Sequence, residues 1–224
     1  MQHEIKIKEF TVNEARALPV IMLLDASGSM AESGKVEALN RAVEEMLATF
    51  AAEPEVRAII QVGAIVFGGE VRVHLPLLAA DKAKKQWRPL TAQGNTPLGA
   101  TLTMLHVKLE DKVLVPSRSY RPTLVLVSDG QPNDAWQDPL KRLLESARAS
   151  KAARMAMAIG ADADVQMLQS FLNSPESRVF QAHQAREIQT FFKWVTMSVT
   201  LRSRSATPDK IAPVDPSEID EIRY

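Results

Sequence analysis

Two short apolar runs of the sequence each end abruptly on an aspartate. Residues 19–24 read PVIMLL and are followed by Asp25, and residues 122–128 read PTLVLVS and are followed by Asp129. Such runs are typical of strands that are buried on both faces of a parallel sheet. Because ligands of open parallel sheets gather at the carboxyl ends of the strands, we expect both aspartates at one edge of the same sheet.

Amphipathic segments separate these two runs from further strand-like ones. After the first aspartate, apolar residues recur at the spacing of a helix that packs on a sheet; they are Val36, Leu39, Val43, Met46, Leu47 and Phe50. Further helices are predicted at residues 98–112, 135–150, 165–172 and 186–201, and further strands at residues 154–159 and 178–180. Strands that alternate with helices in this way are typical of an α/β fold with right-handed crossovers.

Residues 57–67 and 71–78 are also strand-like, and Gly68 and Gly69 separate them. A two-glycine loop between such runs predicts an antiparallel hairpin, because glycine enters the positive-φ hairpin turns without strain. The expected fold is therefore a three-layer α/β sandwich, with a mostly parallel central sheet, one antiparallel edge strand and helices on both faces.

Composition favours one domain with short appendages. A chain of 224 residues with 46% hydrophobic content buries a sizeable core. We expect an N-terminal extension at residues 1–18, the α/β domain at residues 19–202 and a Ser/Pro/acidic tail at residues 203–224. The sequence leaves open whether residues 5–10 add an edge strand and whether the acidic tail has a role.

Charge and cysteine content exclude several classes of function. Lys+Arg and Asp+Glu are equal at 27 each, so no long-range field recruits nucleic acid or an anionic membrane. No apolar run approaches the roughly 18 residues that a membrane span needs. The chain has no cysteine, which excludes disulfides, thiolate nucleophiles and thiolate metal ligands. We expect a soluble, cytoplasmic protein that is monomeric alone and has neither a nucleic acid nor a membrane as its partner.

Hydroxyl side chains accompany the two aspartates. Ser27 and Ser29 follow Asp25 in LLDASGSM, and Thr96 lies in the loop GNTPLG. If the two aspartate-bearing strands are neighbours, these side chains and Asp129 face one crevice and form a pocket of oxygen atoms alone. Such a pocket favours a hard cation: Mg2+ prefers oxygen ligands at about 2.1 Å, whereas zinc usually requires histidine or cysteine. We predict Mg2+ here, and the sequence leaves Mn2+ and Ca2+ open as alternatives.

Each of these residues also has an ordinary structural interpretation. Asp25 or Ser29 could cap the following helix, and Thr96 could be a turn residue before a helix that starts at proline. Asp134 is predicted to be the N-cap of the helix that begins at Ala135. The four histidines lie outside the motif loops and are interpreted as surface or packing residues; they are His3, His74, His106 and His183.

The pattern Asp25-x-Ser27-x-Ser29, followed by Thr96 and then Asp129 in SDG, resembles the metal-ion-dependent adhesion site of von Willebrand factor A (vWA) domains. The resemblance covers residues 19–201 and implies a Rossmann-like fold. It also implies that Ser27, Ser29 and Thr96 are direct or near-direct metal ligands and that Asp25 and Asp129 are direct or water-bridged ones. Binding without catalysis is the activity that it implies.

Within that family, the motifs LLDASGSM, GNTPLG and VSDGQPND look most similar to bacterial TerY-type proteins of tellurite resistance. That likeness implies an adaptor in stress signalling that associates with a Ser/Thr protein kinase and a PP2C-like phosphatase. An ion held by two acids and neutral hydroxyls also has reason to accept one carboxylate or phosphate oxygen from such a partner.

A Mg2+-dependent phosphohydrolase is the competing hypothesis, because an aspartate at a strand end beside Mg2+ also describes phosphotransfer sites. That chemistry needs a general acid or base, and the motif loops contain no histidine, lysine or tyrosine within easy reach. The sequence therefore favours an interaction module over an enzyme. It leaves open whether a kinase phosphorylates one of the site hydroxyls.

Overall fold

The structure, a computed structural model, describes residues 15–54 and 57–210. Its strands are β1 (Arg16–Asp25), β2 (Ala58–Gly68), β3 (Glu70–Ala79), β4 (Thr123–Ser128), β5 (Ala153–Ile159) and β6 (Phe180–Ala182). Its helices are α1 (Lys35–Ala52), α2 (Ala80–Gln86), α3 (Leu98–Glu110), α4 (Gln137–Glu145), α5 (Val165–Leu172) and α6 (Ala185–Arg204). Two 3-10 segments, Gly28–Gly34 and Ala149–Lys151, complete the described elements.

The strands form one sheet in the order β3-β2-β1-β4-β5-β6, in which only β3 is antiparallel to its neighbour. Helices α1, α2 and α6 cover one face, and α3, α4 and α5 cover the other. This arrangement confirms the expected Rossmann-like three-layer α/β fold with one antiparallel edge strand. The strand order reverses between β1 and β4, so a crevice is expected at the carboxyl ends of these two strands.

The apolar run that precedes Asp25 is buried on both sides of the sheet. Val20, Met22 and Leu24 contribute to the core beneath α1 and α6, whereas Ile21 and Leu23 contribute to the core beneath α3 and α4. A strand with helices on both faces has no solvent side, and its sequence is therefore continuously apolar instead of alternating.

Three local predictions differ from the structure. The helix expected at residues 135–150 spans only Gln137–Glu145, because the Ser146 hydroxyl accepts hydrogen bonds from the backbone N–H groups of Arg148 and Ala149 and turns the chain. The strand expected at 178–180 lies at Phe180–Ala182, where it pairs with β5. In the hairpin, Gly68 belongs to β2 and only Gly69 has a positive φ, of 76°.

The described residues contain no helix that is long and apolar enough to cross a membrane. The edge strand considered for residues 5–10 lies outside the described part of the chain, as does the tail from residue 211 onwards.

Candidate metal centre

Strand pairing brings the two aspartates to the same edge of the sheet. In the parallel β1–β4 pair, Leu24 lies opposite Val127, so Asp25 stands beside Ser128 and Asp129 where the two strands end. Both aspartates are buried, with 0% of Asp25 and 1% of Asp129 exposed. The neighbour relationship on which the predicted crevice depended is therefore present.

Backbone hydrogen bonds hold the loop after β1 against the loop that carries Thr96. Gln93 donates its N–H to Ala26 O at 2.7 Å, and Gly28 donates to Gly94 O at 2.9 Å. The carbonyl oxygen of Thr96 in turn accepts the N–H of Asn133, in the loop after β4, at 3.1 Å. These hydrogen bonds thus connect three loops that are distant in the sequence, around the strand ends.

The two serine hydroxyls converge on one oxygen of Asp129. Ser29 Oγ donates to Asp129 Oδ1 at 2.7 Å, and Ser27 Oγ lies 3.5 Å from the same oxygen. The two hydroxyl oxygens are 3.1 Å apart. Ser27, Ser29 and Asp129 therefore form one compact group of oxygen atoms, as expected if the two aspartate-bearing strands are neighbours.

Asp25 lies deeper and is held by two hydrogen bonds. Its Oδ1 accepts the backbone N–H of Ser27 at 2.9 Å, and its Oδ2 accepts the Ser128 hydroxyl at 2.6 Å. Burial raises the pKa of Asp25, the hydrogen bonds from Ser128 and Ser27 oppose that rise, and the nearby charge of Asp129 adds to it. The site thus places two carboxyl groups close together where water is largely excluded.

Thr96, in the loop before α3, is 7% exposed. A side-chain carbon added at Gly130 would lie 3.7 Å from Thr96 Oγ1 and 4.0 Å from Ser29 Oγ. The backbone at Gly130, next to Asp129, therefore lies close to both hydroxyls. The structure therefore brings all five residues predicted as metal ligands to one edge of the sheet: Asp25, Ser27, Ser29, Thr96 and Asp129.

Sequence reasoning missed two residues of this site, Ser128 and Lys35. Lys35 donates from Nζ to Asp129 Oδ2 at 2.8 Å. The expectation that no lysine comes within reach of the motif loops was therefore wrong, because the 3-10 segment Gly28–Gly34 turns the chain back before α1 begins. For Ser128, the available signal was its place at the end of a strand paired with the one that ends at Asp25.

Asp134 was assigned to the wrong helix. Its carboxylate accepts the backbone N–H groups of Gly99 at 2.8 Å and Ala100 at 2.9 Å, so it caps α3. Helix α4 begins at Gln137, and the side chain of its N-cap residue, Trp136, makes no capping hydrogen bond. The contact connects the loop after β4 with the helix that follows Thr96, which a prediction from neighbouring residues alone could not anticipate.

The donor atoms fit a hard cation. In the described residues no three His, Cys, Asp or Glu side chains gather at a possible metal site. A metal at this edge would therefore be held by two carboxylates and neutral hydroxyls. Oxygen-only donors of this kind fit Mg2+, Mn2+ or Ca2+ better than zinc.

Comparison with known families agrees with this geometry. Residues 20–194 match the model of the von Willebrand factor type A domain. The chain belongs to this family. Domains of this family commonly mediate metal-dependent protein interactions, with a divalent metal at the adhesion site.

Individual relatives of this vWA domain are distant. The chain is 32% identical over 143 residues to the magnesium-chelatase 60 kDa subunit of Rhodobacter capsulatus, which covers 63% of this chain and 24% of that subunit. The chain thus spans about a quarter of the length of this curated relative.

Solved structures with the same fold include a vWA protein from Catenulispora acidiphila, with a TM-score of 0.64 and 20% identity over 82% of this chain and 42% of that one. Another is proximal thread matrix protein 1 from the mussel byssus, with a zinc-occupied MIDAS motif. It has a TM-score of 0.62 and 18% identity over 81% of this chain and 48% of the other. At these identities the likeness shows the fold alone.

Proposed function

We propose that this vWA domain is a metal-dependent protein-interaction module. It binds Mg2+ through Asp25, Ser27, Ser29, Thr96 and Asp129 and recognises an acidic or phosphorylated protein partner. The observation that carries the proposal is the convergence of the Ser27 and Ser29 hydroxyls on Asp129 Oδ1 beside a second buried carboxylate. Two buried like charges are costly, and a divalent cation offsets that cost.

The chain's own residues orient the donors. Ser128 and the Ser27 N–H hold the Asp25 carboxylate, and the loop hydrogen bonds hold Thr96 beside the serines. A bound ion would supply an electrophilic centre that attracts one more anionic oxygen. In this proposal that oxygen is a carboxylate or a phosphate oxygen of the partner, so that metal binding and partner binding are coupled.

The donor set favours Mg2+ as the ion. Mn2+ and Ca2+ share the preference for oxygen ligands. The name of the Rhodobacter relative contains magnesium, and the mussel protein holds zinc in its motif. Titrations with all four ions under the same conditions rank them, and a site that binds zinc but not Mg2+ contradicts this part of the proposal.

We propose binding and not catalysis, and a phosphohydrolase is the alternative. Lys35 is a basic group beside Asp129, and its ammonium is already engaged as a counter-ion. A phosphatase assay with p-nitrophenyl phosphate and Mg2+ is expected to show no turnover above background. Turnover that disappears in Asp25→Ala would instead favour the hydrolase.

The cellular setting is proposed from the motif resemblance alone. LLDASGSM, GNTPLG and VSDGQPND support a cytoplasmic bacterial adaptor of the TerY type, acting in stress response or tellurite resistance with a Ser/Thr kinase and a PP2C-like phosphatase. Co-purification of the tagged chain from its own organism, with and without Mg2+, tests this setting.

The decisive experiment measures Mg2+ binding and partner capture in the same variants. Isothermal titration with Mg2+ should give a saturable site in the wild type, weaker binding in Thr96→Ala and none in Asp25→Ala. Thr103→Ala is the matched control, because Thr103 is exposed on α3 and its hydroxyl bonds only to Gly99 O. Proteins captured from a lysate should be lost both in EDTA and in Asp25→Ala. Capture that is indifferent to Mg2+ would overturn the proposed function.

A further inference from the structure

Lys35 brings a positive charge against the cluster that the proposed function assigns to a metal ion. Its Nζ donates to Asp129 Oδ2 at 2.8 Å and to Ser29 O at 3.5 Å. The Asp129 side chain is 0% exposed, whereas the Lys35 side chain is 19% exposed. The ammonium therefore reaches from the rim of the pocket to a fully buried carboxylate.

The two oxygens of Asp129 have separate partners. Oδ1 faces the hydroxyls of Ser27 and Ser29, and Oδ2 faces Lys35. A cation on the serine side would thus meet a carboxylate whose other oxygen is already paired. A cation can enter on the serine side while Lys35 stays in place, but the positive charge of Lys35 repels that cation.

The position of Lys35 at the start of α1 does not by itself favour a positive charge. Lys35 is the first residue of α1, where the partial positive charge of the helix N-terminus disfavours a cation. Gly34, with a φ of 70°, makes the turn that places Lys35 at this position. A side-chain carbon at Gly160, after β5, would lie at an ordinary contact distance of 3.8 Å from Lys35 Nζ, so the loop after β5 borders the ammonium.

We propose that Lys35 is a built-in counter-ion of the metal centre. It stabilises the metal-free pocket, weakens divalent-cation binding, and leaves the loaded centre with a net positive charge that attracts an anionic partner. With both carboxylates ionised, the ammonium halves the formal negative charge that a divalent ion meets. This inference rests on the proposed function, because it presupposes that the cluster binds a divalent ion.

Neutral variants of Lys35 test the proposal through the direction in which Mg2+ affinity changes. The proposal predicts tighter binding, which loss of a purely structural residue would not produce. Lys35→Met keeps an unbranched side chain and removes the charge, Lys35→Gln is a second neutral variant, and Lys35→Arg keeps the charge. Lys82→Met, on the exposed face of α2, is the matched control. In titrations with Mg2+ alone at low ionic strength, we expect both neutral variants to bind about tenfold more tightly than the wild type. Lys35→Arg and Lys82→Met should stay within about twofold of it.

Thermal unfolding supplies the second readout. In EDTA the neutral variants should have a lower Tm than the wild type. Saturating Mg2+ should raise the Tm of the neutral variants by more than it raises that of the wild type, because tighter binding stabilises the folded state further. If Lys35 only supported the fold, its loss would weaken Mg2+ binding.

Unchanged or weaker Mg2+ binding in both neutral variants, or failure of both to fold in EDTA and in Mg2+, would overturn the proposal. A wild type that binds no Mg2+ would overturn the proposed function itself, so the two failures are distinguishable.

Discussion

Ser128, the last residue of β4, donates its hydroxyl hydrogen to Asp25 Oδ2 on the neighbouring strand at 2.6 Å. Both residues are 0% exposed, so water cannot replace this contact readily. The hydrogen bond fixes the orientation of the deeper of the two carboxylates. It connects the two strand ends that carry the site.

Removing that hydroxyl should destabilise the protein and loosen the site. Ser128→Ala leaves a buried carboxylate oxygen without its donor, which typically costs about 1–3 kcal/mol. Urea unfolding in EDTA measures the free energy of unfolding, and titration should show weaker Mg2+ binding. Ser150→Ala, at an exposed position, is the control. A Ser128→Ala protein as stable as this control would show that the contact contributes nothing.

Asp134 should act on the site through helix α3. Asp134→Ala removes the acceptor of the Gly99 and Ala100 N–H groups, and loss of such a cap costs about 1–2 kcal/mol. Because the capped turn follows directly after Thr96, Mg2+ affinity should also fall. Urea unfolding and Mg2+ titration measure the two effects. Asp111→Ala, at an exposed aspartate at the other end of α3, should leave Mg2+ affinity unchanged, and an equal loss of affinity in both variants would refute the argument.

A side chain at Gly94 should destabilise the protein, because the loop before Thr96 passes close to the hairpin. Its φ is 71°, and an added carbon would lie 2.5 Å from Gly69 Cα. Gly34 has nearly the same φ, of 70°, but its nearest neighbour would be a flexible Glu37 oxygen at 3.9 Å. Gly34→Ala should therefore cost only the backbone strain of about 1 kcal/mol, and Gly94→Ala about twice that or more. Urea unfolding of both variants makes the comparison, and equal losses would show that the close approach is unimportant.

Glu187 should contribute stability that depends on pH. Hydrogen bonds from the backbone N–H groups of His183 and Gln184 lower the pKa of Glu187 below its ordinary value of 4.5. Since the pKa of Glu187 is lower in the folded state than in the unfolded state, its stabilisation is present above pH 4.5. It is lost as the pH falls through the folded-state pKa.

Glu187→Gln removes that charge and should therefore lower the Tm only while the carboxylate of the wild type is ionised. The effect at neutral pH should be small, about 1–2 °C, because the group is solvated. Measured against pH, the Tm curves of Glu187→Gln and wild type should converge in acid. A constant gap down to the lowest pH would be the contrary result.

Much of the fold was predictable because its signals are local. The run before Asp25 is buried on both faces, and the hairpin at Gly69 turns where glycine occurs. The boundaries were less predictable: the helix after Trp136 ends at Glu145 because the Ser146 side chain competes for the backbone N–H groups.

The sequence by itself determined that one buried strand leads into Asp25 and two serines and that another leads into Asp129, because burial and turn chemistry depend on neighbouring residues. Only the tertiary structure decided that Ser128 would hold Asp25, that Asp134 would cap α3, and that Lys35 would pair with Asp129. These contacts depend on which strands are neighbours and on how loops far apart in the chain pack together. No local pattern specifies that arrangement.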